Sequence, residues 1–240
     1  MTTFVYPYLK QQAEWNELEY SIRSVKKYFQ GKSDIWVIGD KPSLRGVNFI
    51  PSPRINCVRG REFDVYHKLQ IVMDDKRIPN EFVWMYDDTF FLQNIELEFL
   101  QQVIAYDYIY DIDKYIKRGK VSIAYRSRFR ATYDRLVKLK LPLWDYETHL
   151  PRWYAKDKLQ QIFNRHHLHE RLYLLSTLYF NTFYKAPETT VRRDPTIKAE
   201  LYSTLSGEKL LKALKGKKIL NYWNPALNKD FKNLLRSKLV

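Results

Sequence analysis

Short apolar runs separated by amphipathic stretches organise the first ninety residues. Thr3-Phe4-Val5-Tyr6-Pro7-Tyr8 reads as an opening strand. From Glu14 to Phe29, Trp15, Leu18, Ile22, Val25 and Phe29 recur at helical spacing on one face, and Gly31 closes that helix. Asp34 to Asp40 is a continuous apolar run between two aspartates, the pattern of a strand covered on both faces. Val47 to Ile50 is a further strand candidate, stopped by Pro51 and Pro53. Glu62 to Arg77 is helical, with Val65, Leu69, Val72 and Met73 inward, and Phe82 to Tyr86 is the next strand. This alternation predicts an α/β fold with a mostly parallel central sheet and helices on both faces.

The second half is less regular. Leu97–Ile104, Lys156–Phe163, Glu170–Tyr184 and Lys229–Lys238 have helical spacing, and Val121–Tyr125 and Lys218–Tyr222 look like strands. No Gly/Ser-rich linker or repeat divides the chain, so the expectation is a single domain over residues 1–240 with a helical second half.

Charge changes the picture at one strand end. The run Phe82-Val83-Trp84-Met85-Tyr86 leads directly into Asp87 and Asp88, and Phe90-Phe91-Leu92 follows. In a parallel sheet, ligands bind at the carboxyl ends of the strands, which is where this pair falls. Two carboxylates there can hold a divalent cation with a diphosphate completing its shell, can supply a base or nucleophile, or can cap a turn. A second constellation is Trp144-Asp145-Tyr146-Glu147-Thr148-His149-Leu150-Pro151. If extended, it places Asp145, Glu147 and His149 on one face, as acid, base or additional metal ligand, or merely as the polar side of a surface strand.

The basic residues are less specific. Arg54, Arg59, Arg61 and Lys68 gather around the start of the second helix, where cations suit phosphate groups. Arg126, Arg128 and Arg130 alternate with Tyr125, Phe129 and Tyr133, a mix that fits either a nucleic-acid surface or a solvated edge strand. The net charge of +14 points to a polyanionic partner or to solubility. His166, His167 and His169 cluster without the partners of a zinc site. A single cysteine, Cys57, excludes an internal disulfide. With no apolar span and no basic-then-apolar leader at the start, the expected location is the cytoplasm.

Four segments then resemble a known family, in the same order. Glu17-Leu18-Glu19-Tyr20-Ser21-Ile22-Arg23-Ser24 resembles the "ELRYSLRS" segment of the Stealth-type sugar-phosphate transferases, which build capsular polysaccharides. Val83 to Phe91 is similar to their "fiYfNDDmff" segment, with Tyr86 where asparagine is usual. Thr148-His149-Leu150-Pro151 is similar to their "HxP" segment, and Asn221 to Leu239 to their closing segment. The resemblance implies a GT-A-like (Rossmann-like) nucleotide-sugar glycosyltransferase. Asp88 and Asp87 would bind Mn²⁺ or Mg²⁺ on the donor diphosphate. Arg61, Lys68, Arg59 and Tyr86 would hold the nucleotide-sugar. His149, Glu147, Asp145 or Asp87 would serve catalysis.

The expected reaction is sugar transfer to a hydroxyl acceptor. Hydroxymethylated bases of bacteriophage DNA fit the positive charge, and a capsule or cell-wall glycan is the alternative, as is transfer of a sugar phosphate. A non-catalytic nucleic-acid-binding protein would explain the charge but not the acidic pair.

Overall fold

A computed structural model describes residues 1–55, 61–118, 122–168 and 170–239, and of residues 61, 62, 117 and 118 the backbone alone. The opening elements are β1 (Thr2–Tyr8), α1 (Glu17–Tyr28), β2 (Ser33–Gly39), β3 (Asn48–Pro51), α2 (Arg61–Asp74) and β4 (Glu81–Trp84). They continue with β5 (Thr89–Phe91), α3 (Leu97–Gln101), β6 (Ile104–Ala105), β7 (Asp107–Tyr108), α4 (Ile112–Arg118) and α5 (Ile123–Lys138). Then come β8 (Trp144–Asp145), β9 (Arg152–Ala155), α6 (Lys156–His166) and α7 (Leu175–Phe183). The chain closes with β10 (Thr189–Thr190), β11 (Lys198–Leu201), α8 (Gly207–Leu214), β12 (Ile219–Tyr222) and α9 (Lys229–Leu239).

The central sheet has the order β3-β2-β1-β4-β9, parallel except for the edge strand β9. The apolar runs read as continuous because both faces are covered. On one face Phe4, Tyr6, Val37 and Val83 pack with Leu18, Ile22 and Val25 of α1. On the other, Val5, Trp36, Ile38, Phe82 and Trp84 pack with Leu69 and Val72 of α2 and with Leu159 and Ile162 of α6. Side chains alternate between faces, so a strand buried on both needs apolar residues at every position. The architecture is the mixed α/β class expected from the alternation.

The chain leaves β1 towards β2 and β3 on one side and returns to β4 on the other. The carboxyl ends of β1 and β4 therefore lie side by side at a topological switch point, the position where open α/β sheets bind ligands. Met85 N donates to Val5 O at 2.9 Å, carrying the β1–β4 contact past the formal strand end. A smaller sheet, β11-β12-β5, stands beside this edge, with β12 parallel to β11 and antiparallel to β5.

Three expectations need correction. Of the strand expected at Val121–Tyr125, Val121 lies outside the described residues and the rest is not a strand: Ser122 caps α5, its side chain accepting from Tyr125 N at 3.2 Å, and the chain is helical from Ile123. Arg126, Arg128 and Arg130 therefore do not line one face, since residues two apart on a helix point about 200° apart. Leu97–Ile104 is a short helix ending at Gln101, and Ile104 instead begins a strand paired with Thr189. The second half also carries β8 to β11 among its helices, besides the strand expected at Lys218–Tyr222, which is β12. Among the described residues, no helix is long and apolar enough to cross a membrane.

Candidate active site

The acidic pair occupies a tight turn. Thr89 N donates to Tyr86 O at 3.2 Å, so Asp87 and Asp88 are the two central residues between β4 and β5. The turn is pinned from two sides. Ser21 of α1 donates to Thr89 O, and Ser24 accepts from Phe91 N at 2.9 Å. From β12, Asn221 donates to Thr89 Oγ1, in keeping with the Asn221–Thr89 register. Both serines are fully buried, which explains two polar positions on the otherwise apolar inner face of α1.

Electrostatically the turn is strained towards negative charge. Glu17 is only 5 % exposed, and its carboxylate accepts from Glu14 N and Trp15 N at 2.8 Å and from the Tyr222 hydroxyl at 3.3 Å. Burial, then the neighbouring Asp88 and Glu17, push Asp87 up to about 7. Burial pushes Asp88 up to about 6, while its own backbone amide and the Lys198 ammonium hold it lower than Asp87. The Tyr8 hydroxyl at the end of β1 is also raised, first by burial and then by Asp87, Glu17 and Asp40. That shared influence joins the ends of β1, β2 and β4 in one electrostatic environment.

Two adjacent carboxylates offer the hard oxygens that a divalent cation takes, but in ionised form, so such an ion would have to displace the protons that burial favours on Asp87 and Asp88. Among the described residues, no three His, Cys, Asp or Glu side chains form a ready-made metal cluster, so further oxygens would come from the bound ligand.

His149 reaches the start of the acidic turn from the β8–β9 loop. Its backbone is left-handed, with φ 50°, and its ring stacks on Tyr86 with centroids 5.6 Å apart. The residue keeps exposed surface, yet desolvation by the surrounding protein, then the Lys198 and Arg152 charges, push its pKa down to about 4, against the pull of Glu200. Lys198 is buried, donates to Thr148 O at 2.6 Å and lies 3.2 Å from Glu200.

The expected single face of Asp145, Glu147 and His149 does not form, because the strand ends at Asp145. Buried Arg152 donates to Tyr146 O and Thr148 Oγ1, and Thr148 N bonds Tyr146 O at 2.9 Å, which coils the segment. Asp145 is committed to the Tyr115 hydroxyl at 2.7 Å and to Glu147 N at 2.8 Å. Glu147 accepts from Thr177 N and Thr177 Oγ1. Burial raises both carboxyls. Only His149 of the three turns towards Tyr86 and the acidic turn.

Lys68 is 1 % exposed and ion-paired with Asp64. It lies under Gly39, whose φ of 128° and close approach to Tyr8 O leave no room for a Cβ. It is thus near the end of β2, with its charge already compensated. Arg54 is exposed. Arg59, Cys57, His169 and the side chain of Arg61 lie outside the described residues.

Several site residues escaped the sequence reading: Glu17, Ser21, Lys198, Glu200, Tyr202 and Trp223. A signal existed for the last four. Ile197, Ala199 and Leu201 alternate with Lys198 and Glu200, and Tyr202 and Trp223 are the residues that follow β11 and β12.

No protein-family model matches the chain, and no curated protein is similar to it in sequence. Its fold, however, is that of GT-A-like glycosyltransferases. The solved bifunctional glycosyltransferase WbbM superimposes with a TM-score of 0.59 at 13% identity, over 100% of this chain and 49% of WbbM. The galactosyltransferase LgtC, solved with donor and acceptor sugar analogues, gives 0.51 at 11% identity over 98% of this chain and 96% of LgtC. An active-site mutant of LgtC gives 0.52 at 9% identity, over 100% and 96%. The chain therefore spans about half of WbbM and nearly all of LgtC.

Proposed function

We propose that the protein is a metal-dependent glycosyltransferase that moves a sugar from a nucleotide-sugar donor to a hydroxyl of a glycan. The observation that carries the reading is the turn at the switch point. It presents two carboxylates that burial keeps hard to ionise, with the Lys198 charge felt at Asp88 but no cation lowering Asp87, and α1 and β12 pin the turn.

In this reading Asp88 and Asp87 hold Mn²⁺ or Mg²⁺. When bound, the ion supplies neutralisation of the charge that grows on the departing diphosphate. Lys198 adds a fixed positive charge on the Asp88 side of the turn. The nucleoside would lie against the carboxyl ends of β1 and β2, beside Tyr8 and Gly39. Transfer breaks the bond between the anomeric carbon and the diphosphate oxygen and forms one to the acceptor oxygen. The acceptor proton goes to His149 Nδ1 or Nε2, which is free to accept it because the imidazole is neutral. Asp145 and Glu147 shape the loop that carries His149.

The test is calorimetry with UDP and GDP, with and without Mn²⁺, on the parent and on Asp88→Asn. The expected result is metal-dependent binding in the parent, lost in the variant with an unchanged fold. Binding indifferent to chelator would reject the metal assignment. Product analysis separates glycosyl from glycosyl-phosphate transfer. Duplexes with hydroxymethylated bases enter as rival acceptors, for which +14 is an argument but the α5 arginines no longer are.

A further inference from the structure

Four rings line up from the acidic turn to the surface. Tyr86 precedes Asp87, and His149 stacks on it at 5.6 Å with planes 19° apart. Trp223 follows at 6.4 Å and 20°, and Tyr202 stacks on Trp223 at 5.9 Å and 25°. The sheet register explains the alignment. Asn221 pairs with Thr89 and Leu201 with Tyr222, so Trp223 and Tyr202 emerge together beside the turn.

Near-parallel planes at these spacings are offset, so each ring leaves part of its face uncovered. Trp223 is 50 % exposed and Tyr202 60 %. Large rings exposed in a row beside the acidic turn are not explained by the core. Their orientation is also fixed. Glu200 accepts from Trp223 Nε1 at 3.4 Å and is hydrogen-bonded to the Tyr202 hydroxyl, and Lys198 anchors Glu200 in turn. A platform held in place before the ligand arrives loses little ordering entropy on binding.

We infer that Trp223 and Tyr202 form the acceptor platform, on which a pyranose ring stacks with its reacting hydroxyl directed at His149 and the Asp87–Asp88 turn. Rigid, flat, half-exposed rings match the apolar C–H face of a hexopyranose, whose hydroxyls remain at the rim for polar groups. Glu200 is a positioning residue that holds the two rings. The inference rests on the glycosyltransferase reading and names its acceptor class, a neutral hexose unit of a glycan.

The experiment uses the methyl glycosides of glucose, galactose and mannose in two formats. In saturation-transfer NMR, which needs no turnover, at least one glycoside should receive saturation from the parent and from Asp88→Asn, but not from Trp223→Ala. In steady-state transfer assays, Trp223→Ala and Tyr202→Ala should each raise the acceptor KM by roughly tenfold, the scale of one aromatic stacking contact. The donor KM should move less than twofold, and Trp223→Phe should recover most of the loss. Both positions are at the surface, so unfolding is not expected, and a thermal melt checks it. Saturation of none of the three glycosides by the parent overturns the inference. So does a donor KM that rises in step with the acceptor KM, which would place the ladder in the donor site, or transfer to DNA alone. If the parent binds no nucleoside diphosphate, the glycosyltransferase reading fails on its own, and the NMR result still decides the platform.

Discussion

The acidic turn makes the metal-free protein sensitive to pH in an unusual direction. Asp87 moves from the ordinary 3.8 up to about 7, and Asp88 to about 6. A carboxyl whose folded pKa lies above its unfolded value binds more protons when folded. Its contribution to stability is complete below pH ~4 and is lost as pH rises to about 7. The two carboxyls share their causes, so the shifts are not summed. Three units on Asp87 at ~1.36 kcal/mol each give a ceiling of about 4 kcal/mol, and water reaching a partly exposed carboxyl halves that to about 2 kcal/mol. For a chain of this length, 2 kcal/mol corresponds to a melting-temperature change of about 4–8 °C. The excess of basic charge pulls the other way at low pH, so the measurement is a comparison of melts from pH 4.5 to 7.5 in chelator for the parent and Asp87→Asn. The parent should lose about 4–8 °C relative to the variant across that range. Saturating Mn²⁺ should restore most of the loss at pH 7.5 and little at pH 4.5, because protons and metal compete for the same oxygens. Identical pH profiles for parent and variant, with no effect of Mn²⁺, would refute the account of the turn.

Two further predictions concern the residues around that turn. His149→Ala changes an exposed residue, so the melting temperature should stay within a few degrees while the transfer rate falls by ~10²-fold. A rate within a few-fold of the parent would reduce His149 to a stacking partner of Tyr86. Ser24→Ala leaves the buried Phe91 N–H without an acceptor and should cost about 1–3 kcal/mol, read from the thermal melt, together with activity. An unchanged melt would mean that water or a backbone shift replaces the serine.

The central sheet was legible because its strands are covered on both faces. Phe4-Val5-Tyr6, Ile35-Trp36-Val37-Ile38 and Phe82-Val83-Trp84 are apolar at every position, a signal that does not depend on distant partners. The acidic pair was legible for the same reason, as charge set against so apolar a run. The strand expected at Val121–Tyr125 failed because β-prone Ile123 and Tyr125 outweighed the Ser122 cap, which only the hydrogen bond reveals. The alternation of Asp145, Glu147 and His149 failed for a non-local reason: Arg152 coils the loop from inside, and Tyr115 and Thr177 claim the two carboxylates. Lys198 and Glu200 hid in a four-residue strand whose charged side chains are satisfied by each other and by Thr148. Such pairings cannot be read from spacing, since each partner lies far along the chain.

The small β11-β12-β5 sheet fixes the spacing between the acidic turn and the two exposed rings. Asp88 is the residue before β5, Trp223 the residue after β12 and Tyr202 the residue after β11, so the backbone ladder fixes the distance from carboxylate to platform. Lengthening β5 by one residue would misplace both ends at once, because a one-residue slip reverses every side chain along the strand. The segments that follow are tied in as well: Thr204 Oγ1 donates to Pro225 O at 2.9 Å, Asn224 donates to Glu14 at 2.9 Å, and Phe231 of α9 packs edge-on against Phe90 of β5. Exchanging those segments would therefore be felt at the acidic turn as well as at the exposed rings, through the core that β5 and α9 share.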